Sequence, residues 1–199
     1  FILLKKIKSF GKPIILSTGM SEKKEILEAL DFLKLKANNL ALLHCISEYP
    51  TKIKDSQLSF LNELKKLKYI HGFSDHTVGI EASIAAIAMG SKIIEKHITL
   101  NKNMKGPDHR CSLECKDLKY FIQILKDISN SINQNKRKIT SIEKSTSRIV
   151  KKSIYYNENI KKNTLLSETD LIAMRPRLNG LSPSSYKKFV GKKLKKSVR

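Results

Sequence analysis

Short, dense apolar runs alternate along the chain with longer stretches whose apolar positions fall on one helical face. Residues 13–16 form the first run and close on Ser17-Thr18-Gly19; Ser21 then stands as the cap of a helix pattern from Glu22 to about Leu35. Residues 40–45 form the second run. A polar loop separates it from Leu58, Leu61, Leu64 and Leu67, which are spaced for a helix. The third run, residues 69–73, ends on Ser74-Asp75-His76, and the Ala-rich stretch 80–89 reads as a helix stopped by Gly90. The fourth run, residues 92–98, contains Glu95-Lys96-His97. After a loop over 101–112, residues 113–132 place Leu118, Phe121, Ile122, Leu125 and Ile128 on one face. Short buried strands that each lead into a helix predict a parallel sheet with right-handed crossovers.

The fold class expected is therefore α/β. Polar and ionisable residues gather at the carboxyl end of each run, where (β/α)8 barrels and doubly wound sheets carry their sites. No GxGxxG follows a strand, which disfavours a dinucleotide fold, and four βα units are half of an eight-fold TIM barrel. Composition turns polar and Lys-rich near residue 134. The expected domains are a partial barrel over 1–133, a linker over 134–149, and a small, mainly β module over 150–199 with strand-like pieces at 153–156 and 170–174.

Charge changes this picture little. The 199 residues carry 39 Lys+Arg against 18 Asp+Glu, a formal +21, and residues 150–199 alone hold +10. Only six of the basic residues are Arg, no Trp is present, and the lysines are spread along the chain, so nucleic-acid binding is not expected as the main function. No apolar run approaches the roughly 18 residues of a membrane span, and no membrane partner is expected. The opening FILLKKIKSF puts apolar residues before lysines, the reverse of a secretory signal, and Cys45, Cys111 and Cys115 suit neither a disulfide framework nor a zinc site. A cytoplasmic setting is expected.

Two strand ends present histidines, His76 and His97. Adjacent parallel strands would bring both imidazoles to one mouth, within reach of a single divalent metal that keeps open positions for substrate. Two separate, hydrogen-bonded histidines are the alternative. Glu95 shares a strand face with His97 and reads as a ligand, a support or a sugar contact, or else as a paired structural acid. Ser17, Ser47 and Ser74 follow strands, where hydroxyls can hold a phosphate or carboxylate or simply cap helices. Gly106-Pro107-Asp108-His109 reads as a tight turn over the mouth. His44 reads as a structural core or rim histidine, Cys45 as a buried small apolar residue, and Cys111 and Cys115 as incidental.

Lys12 to Met20, Leu43-His44-Cys45 with Tyr49-Pro50, Gly72 to Thr77, Ile94 to His97 and Gly106 to His109 occur in an order that resembles the sialic acid (N-acetylneuraminate) synthase family. Met174-Arg175-Pro176 with Leu181-Ser182-Pro183 resembles that family's antifreeze-like (SAF) domain. The resemblance implies that phosphoenolpyruvate condenses with N-acetylmannosamine or a related 2-acetamido sugar, giving a nine-carbon 2-keto-3-deoxy acid and phosphate. It implies His76, His97 and Glu95 as catalytic residues, with His76 and His97 holding Mn²⁺ or Mg²⁺. Ser17, Ser47 and Ser74 would contact phosphoenolpyruvate; Tyr49, Glu95 and Asp108 the amino sugar. Asp75 counts among the substrate-binding residues, and Arg175 would reach the N-acetyl group across a domain-swapped homodimer.

The family's eight-unit barrel starts about four βα units earlier, and its SAF domain runs further. The chain is therefore expected to be an incomplete, inactive piece of a synthase. Whether the product is neuraminate, legionaminate or pseudaminate stays open, with the Gly-Pro-Asp-His wording leaning to the first two. The alternative from another class is a non-catalytic chain binding glycans or acidic partners through its basic SAF-like module.

Overall fold

The computed structural model describes residues 1–133 and 136–198, which fall into two compact units that meet in sequence near residue 135. The first unit opens with α1 (Ile2–Ser9), which the hydropathy pattern did not suggest; it sets Leu4 and Ile7 against the core. Four parallel strands follow, β1 (Ile14–Ser17), β2 (Leu40–Cys45), β3 (Ile70–Asp75) and β4 (Ile93–Lys96), hydrogen-bonded in that order. The crossovers carry α2 (Lys23–Leu33), α3 (Leu61–Lys66) and α4 (Glu81–Ala88), and α5 (Leu118–Ile132) follows the last strand. This is the curled, parallel half-barrel sheet with helices that the alternation of runs implies.

Parallel sheets need cover on their faces, and period-two alternation decides which residues receive it. On the helix-facing side Ile14, Leu40 and Leu42 pack with Ile26, Leu30 and Leu33, which recur on one face of α2. Phe73 packs with Leu61, Ala82 and Ala86 in a second cluster. Fully burying side chains of this size stabilises by about 1.5–3 kcal/mol each. The inner face carries Ser17, Leu43, Cys45, Gly72, Ser74 and Glu95. Gly72 is required there, because a Cβ at that position would strike the Ile93 carbonyl of the neighbouring strand and the Leu43 side chain.

Local differences from the sequence reading have local causes. Ser21 does not cap α2; its hydroxyl turns back to the Gly19 carbonyl at 3.3 Å, and Glu25 reaches the Glu22 N–H at 2.8 Å instead. The fourth run is broken at His97 into β4 and β5 (Ile98–Thr99), because β5 pairs with β6 (Leu113–Glu114) rather than continuing the main sheet. That pairing also delays α5 to Leu118.

In the second unit, much of the expected linker is helical: α6 (Ser141–Val150) occupies it. The helix starts where Thr140 accepts the Glu143 N–H at 3.1 Å and Glu143 accepts the Thr140 N–H at 2.9 Å, a reciprocal cap that polar composition concealed. Residues 134 and 135 of that linker lie outside the described residues. β7 (Ser153–Tyr156) and β8 (Leu171–Met174) pair antiparallel, and Ile160, Leu166 and Leu194 form a small core. No helix among the described residues is long and apolar enough to cross a membrane.

Candidate active site

Strand register builds the site in rows. Ser17 pairs with Leu43, and one row further Cys45, Ser74 and Glu95 lie side by side on β2, β3 and β4. The chain leaves β3 and β4 with one more inward step, which carries His76 and His97. Their ring centroids are 5.2 Å apart at 72°, and the Tyr49 ring covers both, 4.1 Å from His76 and 5.7 Å from His97.

Hydrogen bonds aim these groups. His76 Nδ1 lies 2.8 Å from the Ile46 carbonyl, so this nitrogen donates and Nε2 keeps its lone pair. The Thr51 N–H donates to the His76 carbonyl at 3.0 Å and ties the loop after β2 to the end of β3. The Ser74 hydroxyl donates to Glu95 Oε1 at 2.6 Å, while Glu95 remains open to solvent. Asp108 Oδ2 stands 3.9 Å from His97 Nδ1. Its backbone carbonyl accepts the Ser112 hydroxyl at 2.7 Å and the Cys111 thiol at 3.1 Å, which holds the loop in place. Ser47 is brought over the end of β1 because Gly19 lacks a Cβ; one there would collide with Ser47 Oγ.

Burial pushes the Cys45 thiol up from its ordinary value, so it stays protonated beneath the site, 3.8 Å from His76 Nδ1. Tyr49 is also pushed up, first by partial burial and then by neighbouring Cys45 and Asp108, so its phenol remains a hydrogen-bond donor at neutral pH.

Ser17, Ser47, Tyr49, Ser74, Glu95, His76, His97 and Asp108 therefore gather at the carboxyl end of the sheet. Asp75 does not. It is fully buried on the opposite face, with both oxygens occupied by Thr77, Ser83 and Lys96. Strand alternation is the reason: a residue between Ser74 and His76 must point the other way. Arg175 lies exposed just past β8 in the second unit. Cys45 and Cys111, read as apolar or incidental, turn out to line the site and to anchor its loop. Register supplied the clue for Cys45, whereas nothing in the spacing pointed to Cys111.

Among the described residues no group of three or more His, Cys, Asp or Glu is placed to hold a metal ion. Two facing imidazoles, one with its Nδ1 taken by the Ile46 carbonyl, are a donor set that suits a divalent ion. A cavity of about 430 Å³ between β4 and α5, lined by Ile94, Phe121 and Leu125 together with Lys92, Lys96 and Lys126, lies on the helix side, away from the two histidines.

Residues 1–137 match the NeuB family and residues 151–199 the SAF domain. The chain is 43% identical over 193 residues to the N,N'-diacetyllegionaminic acid synthase of Campylobacter jejuni, covering 95% of this chain and 58% of that protein. It is 32% identical to the pseudaminic acid synthase of Helicobacter pylori, covering 99% and 58%. The crystal structure of N-acetylneuraminic acid synthetase from Leptospira borgpetersenii superposes with a TM-score of 0.66 at 34% identity, over 73% of this chain and 51% of that one. The chain thus spans a little over half the length of the curated relatives it matches. By its half-barrel, its strand-end motifs and this match over residues 1–137, the chain belongs to the NeuB family, joined to a SAF domain.

Proposed function

We propose that this chain carries part of the active site of a nonulosonic acid synthase, which condenses phosphoenolpyruvate with N-acetylmannosamine or a related 2-acetamido sugar to give a nine-carbon 2-keto-3-deoxy acid and phosphate. The observation that carries the reading is the convergence of His76, His97, Tyr49, Glu95 and Asp108 on one sheet end in a chain of this family. Identity to a diacetyllegionaminic acid synthase makes a diacetamido sugar the first substrate to try.

His76 and His97 would hold Mn²⁺ or Mg²⁺, which when bound supplies Lewis-acid polarisation of the sugar's carbonyl oxygen. The chain's own residues orient the reactants. Ser17, Ser47 and Ser74 offer hydroxyl donors to the phosphate and carboxylate of phosphoenolpyruvate. Glu95, fixed by Ser74, and Asp108, fixed by Ser112, present carboxylate oxygens to sugar hydroxyls. Tyr49 closes one side of the histidine pair against water. Arg175 serves the sugar's N-acetyl group from a second copy of the chain in a domain-swapped homodimer.

The protein expressed from its complete reading frame is given phosphoenolpyruvate, Mn²⁺ and each candidate sugar, and phosphate release is measured. His76→Ala and His97→Ala should each lower turnover by at least about 100-fold, the loss typical of removing one group that stabilises transition-state charge. Arg175→Ala should raise the sugar KM and leave that of phosphoenolpyruvate nearly unchanged. Wild-type turnover and metal affinity in both histidine variants would refute the two-histidine site.

A further inference from the structure

Asp75 and Lys96 are register partners on β3 and β4, and both point at the helices. Asp75 is wholly buried and the Lys96 side chain is 3% exposed, with Nζ 3.0 Å from Asp75 Oδ2. Asp75 Oδ1 accepts the Thr77 N–H at 2.8 Å and the Thr77 hydroxyl at 2.7 Å, and Oδ2 also accepts the Ser83 hydroxyl at 2.5 Å. Lys96 Nζ donates onward to the Thr77 carbonyl at 2.9 Å. One ion pair thus locks the end of β3, the end of β4 and the face of α4 together.

Desolvating two charges offsets most of their attraction, so an apolar pair of similar volume would hold these elements at least as firmly. What an apolar pair lacks is direction. Four donors on two carboxylate oxygens permit one register and one twist of β3 against β4, whereas methyl groups tolerate several. Asp75 immediately precedes His76, and Lys96 immediately precedes His97, with the histidines on the opposite face. A slip of one residue would send a lysine inward and take a histidine out.

We infer that the Asp75–Lys96 pair, with Ser83, is a positioning device that sets β3 against β4 so that His76 and His97 face each other at the spacing one divalent cation requires. The inference rests on the proposed function for the cation. It does not rest on it for the geometry. Asp75 and Lys96 are positioning residues and touch no substrate.

The test compares wild type, Asp75→Asn, Lys96→Met and the double variant, made in the complete protein, by Mn²⁺ titration calorimetry, steady-state kinetics and ¹⁵N imidazole spectra of the metal-free protein. Each single variant should weaken Mn²⁺ binding about tenfold, the usual loss when a support of a metal ligand is removed. It should lower kcat while holding the phosphoenolpyruvate KM within about twofold, the pattern of lost alignment rather than lost binding. The His76 and His97 ring signals should shift or broaden. The double variant should recover folding stability without recovering Mn²⁺ affinity, because no lone charge is left but direction is gone.

Variants that unfold at lower temperature yet keep wild-type Mn²⁺ affinity and unshifted imidazole signals would show a purely structural pair and overturn the inference. Should Asp75→Asn fail to fold, Ser83→Ala removes one donor and leaves the ion pair; it should produce the same changes in smaller measure, and unchanged spectra there overturn the inference equally. A wild type that neither binds Mn²⁺ nor releases phosphate refutes the proposed function, and the imidazole spectra alone then decide the positioning.

Discussion

The two faces of β3 and β4 meet opposite requirements within single peptide steps. Toward the helices, Phe73 is 1% exposed, Asp75 is saturated with donors, and His44 of β2 is held between Phe60 and Phe73 with Nε2 2.8 Å from the Ser56 carbonyl. Toward the barrel interior, Ser74 has one acceptor and Glu95 is left with oxygens facing solvent. The outer face is largely closed chemistry: Asp75, Lys96 and His44 find their partners within the protein, and His71 Nε2 is left buried without one. The inner face is open chemistry, with groups whose partners are to be supplied by a ligand. Strand alternation allows both within a hexapeptide, so groups that hold the strands and groups left open to a ligand alternate along one strand.

The largest effect that sharpens this contrast is on the outer face. Phe73→Ala should cost about 3–5 kcal/mol of unfolding free energy, the range for emptying a buried aromatic site. Denaturant unfolding measures it, and a loss comparable to that of a surface substitution would break the comparison. One residue along, Ser74→Ala removes a single hydrogen bond to Glu95 and should cost about 1 kcal/mol or less. Its effect should fall on kinetics, as a several-fold higher KM for phosphoenolpyruvate. A large stability loss with unchanged kinetics would place Ser74 with the closed face.

The smallest effect is a pH dependence. Burial holds His44 and His71 below the ordinary 6.5, and both lie on the helix-facing side. A depressed histidine is neutral when folded, so below about pH 6.5 the unfolded chain binds the extra protons and stability falls with pH until the folded values are reached. Above that range both states are neutral and the histidines add no slope. Glu63, held below its ordinary 4.5 first by Lys66 and then by Lys23, contributes stability that persists above 4.5 and is lost only in stronger acid. Unfolding midpoints should therefore drop between pH 7.5 and 5.5, and the drop should shrink in the His44→Gln, His71→Gln double variant. An equal drop in that variant would assign the pH dependence elsewhere.

Much of the site could be read before any geometry. Ser74, His76, Glu95 and His97 stand at strand ends with period-two spacing, and the same period could have placed Asp75 on the other face. The loop residues were less legible. Tyr49 reaches the histidines because the loop after β2 is tied to the His76 carbonyl, and Asp108 is held by Ser112 and Cys111; such contacts join positions whose spacing carries no period. Helix α6 was hidden for a related reason. The few apolar residues of this short helix, Ile142, Ile149 and Val150, are all exposed and stand in a Lys- and Ser-rich stretch, so composition masked a helix that rests on its Thr140–Glu143 cap.

Hydropathy alone determined that this chain builds parallel βα units with its polar residues at one end, because burial demands an apolar run for each strand and an apolar stripe for each covering helix. Tertiary structure decided which residues far apart in the chain meet. It joined Asp75 to Lys96 on the helix-facing side and brought Tyr49 against His76, since cross-strand register and loop closure are set by contacts among residues distant in the chain, and a linear pattern holds no record of them.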